Sequence, residues 1–311
     1  MKKMKTVKII ILICIGLNSA LTAQQLPYMS QLGDAKTYWN PAATALGTNM
    51  NLDVFVRQQW LGFKGAPTTG FINYQYPFVD SRMSTGGSLL FDKTGPVSKI
   101  GLQLNYAYKV MDALGDDSQL SLGITAGGQS YSYNTTNAVV NQTDDPSLGK
   151  SGSSGFFPSV GAGFYYISDN RQYRADNTFF LGFSYLQAYE ANVLINNLNQ
   201  KRYAHMVLDF GTRLYSTSGY FEPSFTLNYV KPDLINLQVG AKYEVRDRFW
   251  AGLGYSSVSD LNLQGGIIFS DFGNRDANLR VGVLANIGIT SAIQYFGPGF
   301  EFFMRYEFDM D

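Results

Sequence analysis

The strongest constraint on the fold is a two-residue alternation of apolar and polar side chains, which runs through most of the chain after Asn51. Within 100–110, one parity carries Leu102, Leu104, Tyr106, Tyr108 and Val110, and the other carries Gln103, Asn105, Ala107 and Lys109. Successive side chains of a β-strand point to opposite faces, whereas a helix repeats every 3.6 residues and cannot sort these residues onto one face. The pattern therefore predicts strands with one apolar and one polar face.

Segments of this kind recur along the chain and predict about fourteen strands of roughly ten residues each. Their predicted starts are Asn51, Gly70, Ser84, Ile100, Gln119, Ser159, Phe179, Ala204, Tyr220, Leu234, Arg248, Leu261, Leu279 and Gly299. Single-chain bacterial barrels have an even number of strands, so this count predicts that both termini are periplasmic. The longest gap, Gly128–Pro158, then becomes a polar loop on the outer side, where such barrels keep their long loops.

Composition indicates that the strands span a membrane. Only 15% of the 311 residues are charged and 15% are aromatic, against about 25% charged in an ordinary soluble domain. Mean hydropathy is only -0.10, and after the N-terminus no run reaches the ~18 apolar residues of a spanning helix. These features predict an all-β, transmembrane antiparallel barrel whose residues alternate between lipid and lumen. The formal net charge of +0 gives no reason to expect nucleic acid as a partner.

The N-terminus has the organisation of an export signal. Its positive residues are Lys2, Lys3, Lys5 and Lys8, followed by the apolar run Ile9–Leu17 and the cleavage site Leu21-Thr22-Ala23. We therefore predict a signal peptide at 1–23, an irregular segment at 24–50 and an outer-membrane barrel at 51–311. Cys14, the only cysteine, lies in the predicted signal, so the mature chain would have no thiol for a disulfide, a metal site or a nucleophile.

Residues suited to catalysis or metal binding are few. His205 is the only histidine, and a hydrolase would need a serine or threonine nucleophile beside it; the nearest serines are Ser216 and Ser218. A polar strand residue is the favoured interpretation of His205. Asp116-Asp117 and Asp144-Asp145 could hold a surface calcium, although acidic loop residues are usually just solvated. We expect no enzymatic activity, no cofactor and no metal.

Charged residues within the strands should face the lumen, because a Lys or Arg facing lipid at mid-bilayer costs about 2–4 kcal/mol. This set comprises Arg213, Lys242, Arg280, Arg305, Asp209, Glu222, Glu301 and Glu307. The final segment, 299–308, is rich in aromatic residues, as expected of a closing strand. We hypothesise a lumen charge network in which Glu301 and Arg305 pair across the closing seam with Arg280 and Arg57.

Several motifs near the N-terminus are similar to those of one protein family. They are Gln24-Gln25, Pro27–Gln31, Asn40-Pro41-Ala42, and an Arg-x-Gln-Trp-x-Gly-x-x-Gly-Ala-Pro stretch at Arg57–Pro67. With these motifs the chain resembles the PorP/SprF family of type IX secretion proteins from Bacteroidetes over nearly the whole mature length. The polar run before Asn40 departs from the more apolar run associated with the family.

Two interpretations of the motif residues remain open. The candidate contact residues are Asn40, Pro41, Arg57, Trp60, Gly62, Gly65 and Pro67. In the structural interpretation the glycines and proline shape the first outer loop, Trp60 lies in the aromatic girdle and Arg57 lies in the lumen. In the functional one, this loop folds into or over the barrel and touches a partner. The Gln24–Met50 segment either occupies the lumen or lies in the periplasm as a contact site.

The resemblance implies an outer-membrane component of the type IX secretion and gliding machinery. Such a protein would bind, carry or anchor a secreted adhesin through the adhesin's C-terminal sorting domain, or join translocon or periplasmic subunits. The alternative is a porin-like or substrate-specific transporter, because about fourteen strands enclose a lumen wide enough for a solute unless side chains or a plug fill it.

Overall fold

Fourteen antiparallel strands form one closed sheet in the computed structural model of the chain, which confirms the predicted barrel. The structure describes residues 36–78, 82–134, 151–169, 177–195, 198–231, 234–258, 260–272, 277–289 and 291–308. The predicted signal peptide, the motifs between Gln24 and Gln31, and Asp144-Asp145 lie outside these ranges. No helix within the described ranges is long and apolar enough to cross a bilayer.

Each barrel strand pairs with its neighbour in sequence, and the last pairs with the first. The first seven are β1 (Met50–Gln58), β2 (Thr68–Pro77), β3 (Met83–Thr94), β4 (Val97–Met111), β5 (Gln119–Tyr133), β6 (Phe157–Ile167) and β7 (Thr178–Leu186). The second seven are β8 (His205–Tyr215), β9 (Gly219–Lys231), β10 (Leu234–Val245), β11 (Phe249–Ser256), β12 (Asp260–Phe269), β13 (Ala277–Gly288) and β14 (Gly299–Phe308).

The outer surface of the barrel is apolar and the inner surface largely polar, the reverse of a soluble protein. On β4, Leu102 and Leu104 are 44% and 57% exposed, whereas Asn105, the next residue along the strand, is only 2% exposed. The same alternation recurs on β13, where Val283 is exposed and Leu284 is buried. Exposed Leu and Val in continuous rows are stable only against hydrocarbon, so the outward face is the lipid-facing surface.

The barrel closes where β1 runs antiparallel to β14, from Met50 opposite Phe308 to Gln58 opposite Phe300. Because the strand number is even, the chain enters and leaves the barrel on one side, which we call the terminal end; the opposite side is the far end. Connections at the far end carry the short strand Gly152–Ser153, a hairpin of Ala191–Ile195 with Leu198–Arg202, and the helix Ser291–Phe296.

A segment that precedes β1 fills the middle of the lumen. It comprises a single helical turn, α1 (Lys36–Trp39), and a 3-10 helix at Pro41–Ala45, and we call residues 36–47 the plug. The ring of Tyr38 stacks on Phe71 with centroids 5.5 Å apart, and Phe71 stacks on Phe55 at 5.2 Å. The apolar cluster around these rings is Tyr38, Trp39, Phe55, Phe71, Leu90, Leu186, Val207, Trp250, Ile268 and Phe303. The lumen is therefore a packed core at this level.

Candidate functional site

The Asn40-Pro41-Ala42 motif starts the 3-10 helix of the plug and ties it to the wall. Asn40 is the N-cap: its side-chain Oδ1 accepts a hydrogen bond from Ala42 N at 3.0 Å, and Pro41 occupies the first helical position, where its missing N–H is not needed. The Nδ2 group of Asn40 donates to the carbonyl oxygens of Phe164 at 2.9 Å and Phe183 at 3.3 Å. One buried amide thus caps the plug helix and bonds it to two wall strands.

The two wall residues that lie against this motif, Gly123 and Gly163, have no side chains. A Cβ on Gly123 would overlap the backbone of Pro41 and Ala42, and a Cβ on Gly163 would overlap the Asn40 side-chain oxygen. Both glycines lie in the middle of strands, where glycine otherwise weakens the sheet. Their role is to let the plug backbone approach the barrel backbone.

Side chains of β4, β5 and β7 hold the plug by its main chain. The donors are Asn105 Nδ2 to Thr37 O at 3.1 Å, Gln103 Nε2 to Tyr38 O at 3.4 Å, Ser184 Oγ to Trp39 O at 2.5 Å, Gln119 Nε2 to Ala45 O at 3.0 Å and Lys109 Nζ to Gly47 O at 3.3 Å. The two helical pieces are too short to satisfy their own carbonyls, and these donors supply the partners that buried carbonyls require.

Lys36, the first residue of the plug, is held by three side chains of the barrel wall. Its ammonium donates to the hydroxyl of Tyr165 at 2.7 Å, lies 3.5 Å from the carboxylate of Asp209, and stands 3.8 Å above the ring of Phe180. The Tyr165 hydroxyl in turn donates to Asp209 at 3.0 Å. A cation placed between a carboxylate and two aromatic rings is held by both interactions.

Burial also raises the pKa of Tyr38 above its ordinary value, so that hydroxyl stays neutral.

The plug enters and leaves the lumen at the same side. Lys36 lies beside Tyr165, near the end of β6 at the terminal end, and Gly47 lies beside Lys109, near the end of β4 at the terminal end. Trp39, bonded to Ser184, lies deeper in the barrel. The described part of this N-terminal segment, from Lys36 to Gly47, therefore lies in the lumen as a loop.

The stretch after β1 that carries most of the Arg57–Pro67 motif forms a loop at the closing seam, which we call the seam loop (Gln59–Pro67). Trp60 has a φ of 50°, and its ring lies 5.0 Å from that of Phe296. Leu61 N donates to Pro298 O at 3.0 Å. The ring of Trp60 is packed against the helix Ser291–Phe296. The seam loop thus joins the connection after β1 to the connection before β14.

The small residues of the motif account for the shape of the seam loop. Gly65 has a φ of +82°, a conformation that disfavours any side chain, and its carbonyl accepts from Gly95 N at 2.9 Å. Gly62 lies against Gly297, whose added Cβ would come within 3.3 Å of Gly62 N. The carbonyl of Pro67 accepts from Gln59 N at 3.0 Å and closes the loop. These contacts correspond to the structural interpretation of the motif.

Arg57 and Glu301 form a fully buried ion pair across the seam. The two residues are directly opposite in the β1–β14 register, their charged atoms are 2.8 Å apart, and their side chains are 2% and 0% exposed. Asn286 Nδ2 donates to the same carboxylate at 3.1 Å. This is the Arg57 pairing that the sequence suggested, and it joins the first and last strands directly.

Arg280 and Arg305, which the hypothesis placed in the same network, form ion pairs with other carboxylates. They face each other in the β13–β14 register, and two guanidinium groups in that position repel. Arg305 turns instead to Asp53 on β1, at 2.6 Å. Arg280 reaches over the ring of Trp250 to Glu244 on β10, with contacts of 2.6 and 3.1 Å. Sequence reasoning missed both carboxylates, although each lies on the lumen-facing parity of its strand.

The other predicted lumen charges also lie on the inward parity and are buried or half-buried. Arg213 Nε donates to Glu222 at 2.6 Å, and Lys242 lies 3.8 Å from Glu244. These residues lie on the parts of their strands that are nearest the terminal end. Most of the charge in the lumen therefore lies between that end and the apolar core.

His205 lies far from the two serines considered as nucleophiles for it. This buried residue begins β8 at the far end, whereas Ser216 follows the other end of the same strand, about 35 Å away at the rise of an extended strand. Within the described ranges no group of three or more His, Cys, Asp or Glu side chains could hold a metal ion.

Comparisons with known proteins agree with this architecture. Residues 21–306 match the family model described as "Type IX secretion system membrane protein PorP/SprF". No curated protein matches the chain. Among solved structures, the "CymD monoaromatic hydrocarbon channel" has a TM-score of 0.52 at 10% identity, covering 92% of this chain and 94% of that one. A FadL homologue from Pseudomonas aeruginosa has a TM-score of 0.50 at 12% identity, covering 88% and 93%.

Identities this low support the fold alone, whereas the family match spans nearly the whole chain. The apolar outer surface of the closed barrel and the family together identify an outer-membrane protein. The chain belongs to the PorP/SprF family of type IX secretion system membrane proteins.

Proposed function

We propose that this protein serves the type IX secretion machinery by binding: it carries or anchors a secreted adhesin through the adhesin's C-terminal sorting domain, or links the barrel to translocon or periplasmic subunits. The filled lumen is the observation that supports this proposal most. No catalytic step is part of it. In this proposal both termini are periplasmic, so the far end faces the cell exterior.

Two small cavities lie beside the plug in the described part of the lumen. The cavities beside it, one next to Tyr38 and Gln103 and one next to Lys36 and Asn40, each measure about 20 Å³. That is room for about one water molecule. A steady solute path through the barrel would need the plug to move, whereas a binding platform needs only a rigid scaffold and exposed ends.

The far end presents a surface suited to a protein partner. Phe156, Tyr189 and Leu194 are 61%, 59% and 61% exposed. The hairpin that carries Leu194 is held in place because the buried guanidinium of Arg202 donates to Pro158 O at 2.6 Å and Tyr189 O at 2.7 Å. Exposed apolar residues on a fixed support are typical of protein interfaces.

The alternative function is a substrate-specific transporter. It is favoured by the likeness to a structure titled as a monoaromatic hydrocarbon channel, a likeness that concerns the fold alone. In that case the plug would be a gate, and the purified barrel would conduct or deliver a small molecule.

Affinity purification of the tagged full chain from native membranes, followed by mass spectrometry, tests the proposal. We expect a secreted protein with a C-terminal sorting domain, or translocon subunits, to co-purify. Replacing Phe156, Tyr189 and Leu194 together with serine should remove the secreted partner, whereas Leu114→Ser at an exposed turn of the terminal end should retain it. The purified protein should be silent in planar bilayers. Steady conductance without any co-purified secretion protein would contradict the proposal and favour the transporter.

A further inference from the structure

The barrel wall binds the plug through its main chain, as a receptor binds a peptide. Five wall side chains donate to five carbonyl oxygens between Thr37 and Gly47. Hydrogen bonds to main-chain carbonyls do not depend on which side chains the bound segment carries. This part of the recognition is therefore open to other sequences with the same backbone path.

The site selects the bound segment by the size of its side chains and by one aromatic residue, Tyr38. Ala42, Ala43 and Ala45 are at most 2% exposed, and the backbone of Ala42 lies so close to Gly123 that a Cβ on that glycine would overlap it. Tyr38, by contrast, stacks on Phe71 and meets the ring of Trp39 edge-on at 5.4 Å. The ligand chemistry is an aromatic pair followed by a run of small residues.

Three features make the bound segment replaceable. It enters and leaves at the terminal end, so withdrawal requires no threading through the barrel. The buried Nε1 of Trp39 has no hydrogen-bond partner among the described residues, which weakens retention of the plug because an unsatisfied buried donor is unfavourable. The wall groups that hold it, such as Asn105, Gln119 and Ser184, are amides and a hydroxyl that water can solvate once the plug has left.

We propose that the lumen is a peptide-binding site and that the plug is its resident intramolecular ligand, which a segment of a partner polypeptide with an aromatic pair followed by small residues replaces. The inference rests on the proposed function in one respect only, namely that this function supplies the partner polypeptide. The site itself is a property of this barrel.

The test uses the full chain with a protease recognition sequence inserted after Thr48, an exposed residue between the plug and β1. The protein is folded in detergent and then cut, so that the plug is no longer covalently attached. A fluorescent peptide of residues 36–47 is added, and bound label is measured by anisotropy and size exclusion. A second peptide keeps an aromatic pair and small residues in a different sequence, and a third carries Ala42→Leu and Ala43→Leu.

We expect the first two peptides to displace the cut plug and the third to bind at least tenfold more weakly. Gly123→Ala in the barrel should prevent binding, whereas Gly240→Ala, whose added Cβ meets its nearest neighbour at an ordinary 3.4 Å, should not. Should Gly123→Ala fail to fold, Ser184→Ala, which removes the donor to Trp39 O without adding volume, should weaken binding several-fold.

Retention of the cut plug with no entry of label, equal binding of all three peptides, or binding of the native sequence alone would each overturn the inference. The co-purification experiment is independent of this one. If no secreted protein and no translocon subunit co-purifies with the unmodified chain while peptide exchange is normal, the proposed function is refuted and the site stands.

Discussion

Replacing Arg57 with Met should destabilise the barrel at its closing seam. The change removes the cation but keeps the length and apolar stem of the side chain, and it leaves the carboxylate of Glu301 buried at 0% side-chain exposure. A buried charge without its counter-ion is strongly unfavourable, because the lumen wall cannot replace the water that the carboxylate lost on folding.

The size of the effect follows from the geometry. At the 2.8 Å separation of the charged atoms and an effective dielectric constant of about 20, the direct attraction is about 6 kcal/mol, of which desolvation cancels a large part. Removing one partner of a buried pair typically costs about 3–5 kcal/mol. Since Asn286 still donates to the carboxylate, we expect the lower limit, about 3 kcal/mol. The double variant Arg57→Met/Glu301→Leu, which leaves no orphaned charge, should cost about 1 kcal/mol.

A double-mutant cycle measured by urea unfolding in lipid vesicles, with the folded fraction read from gel mobility, checks this reasoning. The matched control is the ion pair of Lys201 and Glu190, whose atoms are 3.0 Å apart but whose side chains are 49% and 45% exposed; its coupling should stay below about 1 kcal/mol. Effects of Arg57→Met and Glu301→Leu that add within about 0.5 kcal/mol would refute the idea that this pair couples the two strands.

Three further predictions concern the seam loop, the lipid face and the plug. Gly65→Ala, at φ +82°, should lower the free energy of unfolding by about 1 kcal/mol, while Gly62→Ala, whose Cβ would have its nearest neighbour at 3.8 Å, should be tolerated; urea titration distinguishes them. Val283→Arg, on the lipid face near mid-strand, should cost about 2–4 kcal/mol, whereas Leu114→Arg in a turn should cost little; equal costs would refute the lipid-facing assignment. Asn40→Ala removes the N-cap of the plug helix and two wall contacts. It should make the plug susceptible to protease and cause intermittent conductance in planar bilayers. An unchanged digestion pattern would argue against the anchoring role of Asn40.

The strand starts were predictable because they depend on a local rule. All fourteen predicted starts lie within three residues of the observed ones; the largest difference is on β4, predicted at Ile100 and observed at Val97. A membrane barrel must keep apolar groups toward lipid over each whole strand, so two-residue alternation persists without interruption and ends where a turn begins. The parity of Arg57 and Glu301 followed from the same rule.

The partners of the inward charges were not predictable in this way. Parity assigns Arg280 and Arg305 to the lumen but does not say which residue across the barrel each one meets. Arg305 lies directly opposite Asp53 in the β1–β14 register, whereas Arg280, opposite Arg305 in the β13–β14 register, reaches Glu244 on β10. Register and side-chain reach are properties of the closed sheet.

By itself the sequence determined the barrel, its strands, the inward direction of its charges and the family motifs, because each depends on residue type and spacing along one segment. Only the tertiary structure decided that the segment from Lys36 to Gly47 fills the lumen and that the seam loop packs on the helix Ser291–Phe296. The plug has no periodicity, since the side chains that bond its carbonyls lie more than sixty residues away in sequence. Closure of the barrel creates the space that it fills, and no local pattern records that space.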